Sequence, residues 1–394
     1  MTRRVAVVGA YEYPHRVAPA GRSALQIKAE CASRALGDAG LDWAAVDSVC
    51  DASETQPLSG LSMAEYFGMR ATHIESTDVG GSAYELHVAH VADAVASGRV
   101  DVAVLTYGST ARSDQRQIGT GNRALAVPTP AGNMEDHLGI PLVGNYAMVA
   151  RRHMHEYGTT SEQLAEIAVT ARAHALGNPE AVAAMADMGA RHTGPLTVDD
   201  VVSSRMVADP LHRYDCCMIS DGGGAIVLAA EDVAATLDRS PVWVLGSGEA
   251  ISYLDNQQDI TTSAISQSAA AAFTQAGVER DDVDVVMTYD SFTITVLVAL
   301  EDLGFCAKGE GGRLVEGGAL TVGGGGPFAL NTDGGGLSSN HPGRRGIFLL
   351  IEAVRQLRGE SSNQVPEARI ALANGLGGYL GSRHVSGTIV LGKD

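Results

Sequence analysis

Lysine and long apolar runs are scarce in this chain of 394 residues. The 28 basic residues include only three lysines, Lys28, Lys308 and Lys393, and with 46 acidic residues the formal net charge is −18. A chain with this charge repels nucleic acid and anionic membrane surfaces, so we expect neither as a partner. No apolar run reaches the roughly 18 residues that a membrane-spanning helix needs.

Paired cysteines and targeting signals are also scarce. The five cysteines include no C-x-x-C pair, which favours a reducing cytoplasm over a disulfide framework. Only six small or apolar residues follow Arg4, too few for a signal peptide. These two features predict a cytoplasmic location. The histidine pair His87 and His90 lacks a third ligand, so we expect no metal site.

Strand and helix patterns alternate in the first part of the chain. Buried strand character at residues 5–10, 47–52 and 101–107 alternates with helical periodicity at 23–40 and 80–97. The β-α-β-α-β order predicts a mostly parallel sheet that is covered by helices.

A second α/β unit repeats the first. Residues 35–49 and 272–286 align without a gap and share six identical positions. The glycine-opened helix and buried strand at 80–107 correspond to the same elements at 334–374. The same order of elements in both halves indicates a duplication.

Three parts are expected in the chain as a whole. Gly/Pro-rich loops and then helices interrupt the strand pattern between the halves, as in a lid or substrate-shaping region. The parts are an N-terminal half at 1–110 and 211–240, an inserted loop and helical region at 111–210, and a C-terminal half at 241–394.

The stretch 331–346 reads N-T-D-G-G-G-L-S-S-N-H-P-G-R-R-G and carries the clearest candidate side chain. Its three consecutive glycines let the backbone fold tightly and approach a ligand, and Pro342 fixes the turn after His341. An imidazole on a stiff loop before a buried helix suits an active-site donor. A tight turn with a structural histidine explains the pattern equally well.

Several motifs in order resemble the thiolase superfamily, most closely the sterol-carrier-protein thiolases and their lipid-transfer-protein relatives. The resemblance implies a duplicated thiolase fold: two similar βαβαβ halves in five layers, α-β-α-β-α, with an inserted loop and helical region. The motifs are D-G-G-G-A at 221–225, Y-D-S-F at 289–292, L-E-D-L-G-F-C at 300–306, the loop at 331–343 and N-G-L-G-G at 374–378.

Both thiolase cysteines are missing. The resemblance places the nucleophile at Gly80 or Gly81, and the acid/base cysteine of the C-x-G-x-G loop at Ala373. Without a thiolate no acyl-enzyme forms, so we do not expect thiolysis or Claisen condensation. His341 stands at the thiolase G-H-P histidine, which the resemblance implies is an oxyanion donor to a thioester.

The ligand implied by the resemblance is a CoA thioester that binds as substrate, with no permanently bound cofactor. The residues expected to contact it are Gly80, Gly81, Asn340, Gly375 and Gly377.

Y-D-S-F without either cysteine resembles the thiolase-like aldolases that cleave CoA-activated steroid side chains. This implies retro-aldol cleavage of a β-hydroxyacyl-CoA, for example a steroid side-chain thioester, to a ketone and a shorter acyl-CoA. Tyr289 is the candidate for the base that takes the hydroxyl proton, and Asp290 is a further acid/base candidate. Tyr289 as a packing residue and Asp290 as a helix N-cap are the alternatives. Those aldolases carry a second tyrosine where this chain has Arg345, so Arg345 is a further candidate.

Two other function classes stay open: a non-catalytic CoA-ester or lipid-binding scaffold, and an acyltransferase that uses Cys306. The resemblance also implies a homodimer, with the edge-like segment at 74–78 pairing across a two-fold axis. It further implies a small OB-fold, acyl-CoA-associated partner, which would give a heterotetramer.

Overall fold

The computed structural model describes residues 3–52, 58–115, 140–190, 192–253 and 259–393. In the first part of the chain, strands alternate with helices. The elements are β1 (Val5–Glu12), α1 (Ala24–Ala39), β2 (Ser48–Cys50), α2 (Ser59–Phe67), β3 (His73–Glu75), α3 (Ala83–Ala96) and β4 (Val102–Ser109).

A helical stretch follows before the strands resume. It begins with the long helices α4 and α5, and the side chain of Thr160 caps the second of them by accepting from the Gln163 N–H. The elements are α4 (Leu142–Tyr157), α5 (Ser161–Gly177), α6 (Pro179–Asp187), α7 (Val198–Val202), β5 (Met206–Ala208), β6 (Leu211–His212), β7 (Gly222–Ala230) and α8 (Glu231–Ala234).

The last part of the chain repeats the order of the first. None of the helices in the described ranges is long and apolar enough to cross a membrane. The elements are β8 (Val242–Tyr253), α9 (Ile265–Ala276), β9 (Val285–Thr288), α10 (Thr293–Asp302), α11 (Gly311–Val315), β10 (Ala329–Leu330), α12 (Gly335–Ser338), α13 (Gly346–Arg358), β11 (Ile370–Tyr379) and β12 (Arg383–Gly392).

The main sheet has the order β10-β9-β11-β12-β8-β1-β7-β4-β2-β3. Read outward from the β1–β8 pair, β1, β7, β4, β2 and β3 correspond to β8, β12, β11, β9 and β10. Corresponding pairs also run in the same sense: β2 is parallel to β3 and β4, and β9 is parallel to β10 and β11. The duplication expected from the sequence is confirmed.

The expectation of a mostly parallel sheet is wrong. Strand β7 pairs antiparallel with β1 and β4, and β12 pairs antiparallel with β8 and β11. The cause in the second half is local. A short turn joins β11 directly to β12, and a turn of this length reverses the direction of the chain. Each half therefore contains a parallel part and an antiparallel part.

Helices cover the two halves of the sheet and fill the space between them. Helix α1 packs on β1, β4 and β7, and α9 packs on β8 and β12. Helices α3 and α13 contact each other and strands of both halves, so they form a central layer. The order is α-β-α-β-α, which confirms the five layers. Parallel strands β9, β10 and β11 end at one edge, beside the start of α3, which is where ligands bind in such sheets.

Candidate active site

The turn before α3 lies in backbone contact with β11. Residues Gly80–Ser82 form one 3₁₀ turn, and Gly80 has a φ of +75°, which favours glycine. A Cβ atom on Gly80 would lie 3.3 Å from the Gly377 Cα, and one on Gly377 would lie 3.0 Å from the Gly81 nitrogen. Two of the segments expected to contact the ligand therefore meet here.

Tyr289 directly follows β9 and packs against this turn. Its ring is buried and packs on Gly81, where a Cβ atom would lie 2.6 Å from the Tyr289 Cζ. The phenol O–H donates to the Gly343 carbonyl at 2.6 Å. Burial raises the pKa of Tyr289 well above its usual value, so the phenol carries its proton at neutral pH.

The His341 ring stands edge-on to the Tyr289 ring, with centroids 5.5 Å apart and planes at 86°. The backbone N–H of His341 donates to the Ser220 hydroxyl at 3.0 Å, which fixes the loop. Burial, and then the Arg345 charge, lower the pKa of His341 to about 4, so the imidazole is neutral at pH 7. Neither ring nitrogen has a hydrogen-bond partner among the described residues. Since leaving a buried polar group unpaired costs free energy, this ring is available to a ligand.

Arg345 supports the loop rather than facing an open site. The side chain is fully buried, and Nε donates to Asp290 Oδ1 at 3.0 Å. The other two nitrogens reach Asp333 Oδ2 and Asn340 Oδ1, each at 2.6 Å. With its guanidinium held by three partners, Arg345 has a positioning role in this geometry.

Asp290 and Asn340 belong to the same buried network. Asp290 accepts from the backbone N–H groups of Gly336 and Leu337 at 2.8 and 3.1 Å. It therefore caps the short helix α12, not α10, which follows it in sequence. Asn340 donates to Glu12 Oε1 at 2.7 Å and accepts from Arg345, so its side chain is used within the protein.

Glu85 lies one helical turn after Gly81 and was not among the residues that the sequence suggested. It is fully buried, and neither carboxyl oxygen has a hydrogen-bond partner among the described residues. Burial raises the pKa of Glu85 to about 8. The one signal in the sequence is an acidic residue between Tyr84 and Leu86, in a helix whose residues are mostly apolar.

A cavity of about 650 Å³ opens beside the turn. Its lining combines glycine backbone and large apolar side chains with Asp78, His384 and one arginine. It includes Gly80, Leu142, Tyr253, Gly377, Gly378 and Arg383. The cavity is thus suited to an extended and partly apolar ligand that reaches the Gly80 turn.

Comparison with known proteins identifies this architecture. Residues 246–393 match the family model described as "Thiolase C-terminal domain-like". A steroid side-chain-cleaving aldolase of Thermomonospora curvata is 33% identical, with 91% of each chain covered. The acetyl-CoA acetyltransferase of Methanothermobacter thermautotrophicus is 35% identical over 83% of this chain and 91% of that protein.

The chain belongs to the thiolase superfamily, in its sterol-carrier-protein-like branch. The solved structure of the Ltp2-ChsH2(DUF35) aldolase superposes with a TM-score of 0.86 at 30% identity. That match covers 99% of this chain and 98% of the other. The expected duplicated thiolase fold is therefore confirmed.

The cysteines of this thiolase-superfamily member are poor nucleophiles. None stands in the Gly80 turn or in β11, and two of them, Cys31 and Cys50, lie in the core. Cys306 is partly exposed, but burial raises its pKa to about 12. A thiol with that pKa is almost fully protonated at neutral pH and attacks slowly.

Proposed function

We propose that this protein is a thiolase-like carbon–carbon lyase that cleaves a β-hydroxyacyl-CoA by retro-aldol reaction into a ketone and a shorter acyl-CoA. The observation that carries this proposal is the packing of the Tyr289 ring on Gly81, which leaves no room for a side chain at one of the two positions that the resemblance gives to the thiolase nucleophile. Membership in the thiolase superfamily supports an enzyme of CoA thioesters. The relatives include both an aldolase and an acetyltransferase, and the filled nucleophile position favours the aldolase.

The neutral His341 ring is proposed to hold the thioester oxygen. One of its nitrogens carries a proton at neutral pH, and it has no partner within the described protein. When the Cα–Cβ bond breaks, negative charge develops on that oxygen as the enolate forms. A donor that is already in place stabilises this charge without reorganisation.

Tyr289 is proposed as the acid of the reaction. The sequence led us to suggest the phenol as the base that takes the hydroxyl proton. A buried phenol with a raised pKa is protonated at rest, so it enters the cycle as a proton donor. In this scheme Tyr289 gives its proton to the α-carbon of the enolate.

The acyl group and the CoA arm are proposed to approach through the cavity beside Gly80. Its apolar wall includes Leu142 and Tyr253, and Arg383 supplies a positive charge. A steroid side-chain CoA thioester is one candidate substrate, because the aldolase relative cleaves steroid side chains according to its name.

A homodimer and a small partner protein are proposed as the assembly. Strand β3 is the last strand of the described sheet, and its Ile74 is 49% exposed, as expected of an edge that pairs with a second copy. The name of the solved relative contains two components, Ltp2 and ChsH2(DUF35). By analogy, an OB-fold, acyl-CoA-associated protein is the partner that we propose.

An acyltransferase is the second candidate, because one relative with 35% identity is an acetyl-CoA acetyltransferase. In this chain such a reaction requires a nucleophile such as Cys306, which would be acylated and sensitive to iodoacetamide. It also consumes free CoA or a second acyl-CoA, which a retro-aldol reaction does not.

The experiment is a product analysis with two matched substrates: a β-hydroxyacyl-CoA that is branched at the β-carbon, and the corresponding β-ketoacyl-CoA with free CoA. The protein is assayed alone and together with the OB-fold candidate. A lyase releases ketone and shorter acyl-CoA in equal amounts from the first substrate only. Turnover of only the second substrate would favour the acyltransferase, and turnover of neither would favour the binding scaffold.

A further inference from the structure

The reaction proposed above needs a base as well as an acid, and the described site does not assign one. Tyr289 holds its proton at rest, and the guanidinium of Arg345 is a cation bound to Asp290 and Asp333. His341 is the proposed oxyanion donor. Asp290 is held by Arg345 and by two backbone N–H groups. A base must therefore come from elsewhere in the site.

The Glu85 carboxyl contacts two segments beside the Gly81 turn. A Cβ atom on Gly375 of β11 would lie 2.6 Å from the Glu85 Cδ. One on Gly346, at the start of α13, would lie 2.8 Å from Glu85 Oε1 and 2.5 Å from the Gly81 carbonyl oxygen. The carboxyl thus lies between β11 and the start of α13, and the Gly81 carbonyl approaches the same Gly346. Tyr289 packs on the same Gly81.

Glycines on three elements that pack against α3 leave room for this side chain. Gly346, Gly375 and, from β12, Gly387 each bring backbone against Glu85, since a Cβ atom on any of them would clash with it. What faces the carboxyl from these elements is backbone and not a charged partner. Arg345, which precedes Gly346, points to Asp290 and Asp333 instead.

We propose that Glu85 is the base of this site, which takes the hydroxyl proton of the substrate while Tyr289 supplies the proton to the enolate. The evidence is a buried carboxyl whose two oxygens have no hydrogen-bond partner among the described residues and which contacts β11 and the start of α13, beside the Gly81 turn. This inference rests on the proposed lyase function.

The proton balance closes within the pair. Glu85 as carboxylate takes the O–H proton, the Cα–Cβ bond breaks, and the electron pair passes to the thioester as an enolate. Tyr289 then protonates the α-carbon and is left as phenolate. Transfer of one proton from the Glu85 carboxylic acid to the Tyr289 oxygen restores both groups, and no other reactant is needed.

The test compares Glu85→Gln with Glu352→Gln, in the presence of the OB-fold partner if the wild type needs it. Glu352 is a matched control: it is a buried glutamate whose pKa burial raises to about 7, but it accepts from Thr332 and Ser361. We expect Glu85→Gln to lower kcat by roughly 10²–10⁴, the range for removing a general base. Glu352→Gln should stay within a few-fold of wild type.

The pH profile separates a base from a structural residue. Because the carboxylate is the active form, wild-type kcat should rise with pH up to about 8 and then level off. Glu85→Asp should keep a rising profile at a lower rate, and the residual activity of Glu85→Gln should lose it. A slow Glu85→Gln variant that keeps the wild-type profile, or one with full activity, would overturn the assignment.

A stability measurement tests Glu85 without any turnover. In the folded state Glu85 binds its proton up to about pH 8, whereas an unfolded glutamate releases it near 4.5. Between these values the folded wild type binds more protons, so its free energy of unfolding should fall with rising pH relative to Glu85→Gln. If the wild type shows this trend but cleaves no substrate, the proposed lyase function is contradicted, while the description of Glu85 as a buried acid is retained. If the free energy of unfolding shows no such trend, Glu85 is not a buried acid, and its assignment as the base is contradicted as well.

Discussion

The ring of Tyr289 lies where a side chain on Gly81 would have to be. A Cβ atom at position 81 would approach the Tyr289 Cζ to 2.6 Å, well inside van der Waals contact. The ring therefore leaves no room for a cysteine at position 81, one of the two positions that the resemblance gives to the thiolase nucleophile. In the function that we propose, the turn supports proton transfer and not thiolate attack.

Gly81→Ala should therefore lower turnover and stability together. The added methyl group has to displace the Tyr289 ring or the turn, and overpacking of this kind costs about 1–3 kcal/mol. Gly37→Ala is the control, because Gly37 is exposed on α1 with no atom within 4 Å of its added Cβ. Urea denaturation should show the control unchanged or more stable by about 0.5–1 kcal/mol. A Gly81→Ala enzyme with full activity would mean that the contact has no role.

Tyr289→Phe keeps the ring on Gly81 and removes the O–H that donates to Gly343. We expect a loss of roughly 10²–10⁴ in kcat, because the acid is removed. The free energy of unfolding should fall by about 1 kcal/mol, the usual value of one hydrogen bond. Tyr84→Phe is matched, since that buried O–H also donates to a backbone carbonyl, Thr106 O at 2.8 Å. Equal losses of kcat in the two variants would indicate that Tyr289 only packs against the turn and is not the acid.

His341→Ala should lower turnover by roughly 10²–10³, the range for one oxyanion donor. Its ring nitrogens bind nothing in the described protein, so the variant loses no hydrogen bond on folding. In the wild type the pKa of His341 is about 4, so protonation of this ring should not lower activity until the pH approaches that value. His155→Ala, on the exposed face of α4, is the control in steady-state assays. A His341→Ala enzyme at the wild-type rate would place the oxyanion donor elsewhere.

Arg345→Met should destabilise the fold by about 3–5 kcal/mol, because Asp290 and Asp333 lose the buried cation that pairs them. Arg313→Met tests a surface pair instead, since the Arg313 side chain is 77% exposed beside Glu310. That change should stay within about 1 kcal/mol. Thermal unfolding of both variants measures the difference. If Arg345→Met is as stable as Arg313→Met, the buried network does not support the loop.

Local signals allowed much of the fold to be predicted. The helix expected at 23–40 is α1, which Ser23 caps and Gly40 ends with a φ of +72°. Both effects act within one turn, so they depend on local sequence alone. The repeat between 35–49 and 272–286 gave the duplication for the same reason. The antiparallel part of the sheet was missed, because the direction of β7 depends on the path of the inserted region and not on its own residues.

The site was harder to predict, because its contacts join distant residues. His341, Tyr289 and Gly81 were found through family motifs, but the packing of Tyr289 on Gly81 joins two separate halves of the chain. Arg345 was a candidate for chemistry until its partners Asp290 and Asp333 were known. Glu85 gave almost no signal, since the glycines that enclose it lie on α13, β11 and β12.

The measurement that tests the central claim most directly is cleavage by protein whose accessible thiols have been alkylated. The protein is treated with iodoacetamide, the labelled sites are mapped, and a β-hydroxyacyl-CoA is added without free CoA. The account predicts ketone and shorter acyl-CoA in a one-to-one ratio at the rate of untreated protein, even with Cys306 labelled. Stoichiometric inactivation that tracks the label on Cys306 would contradict it.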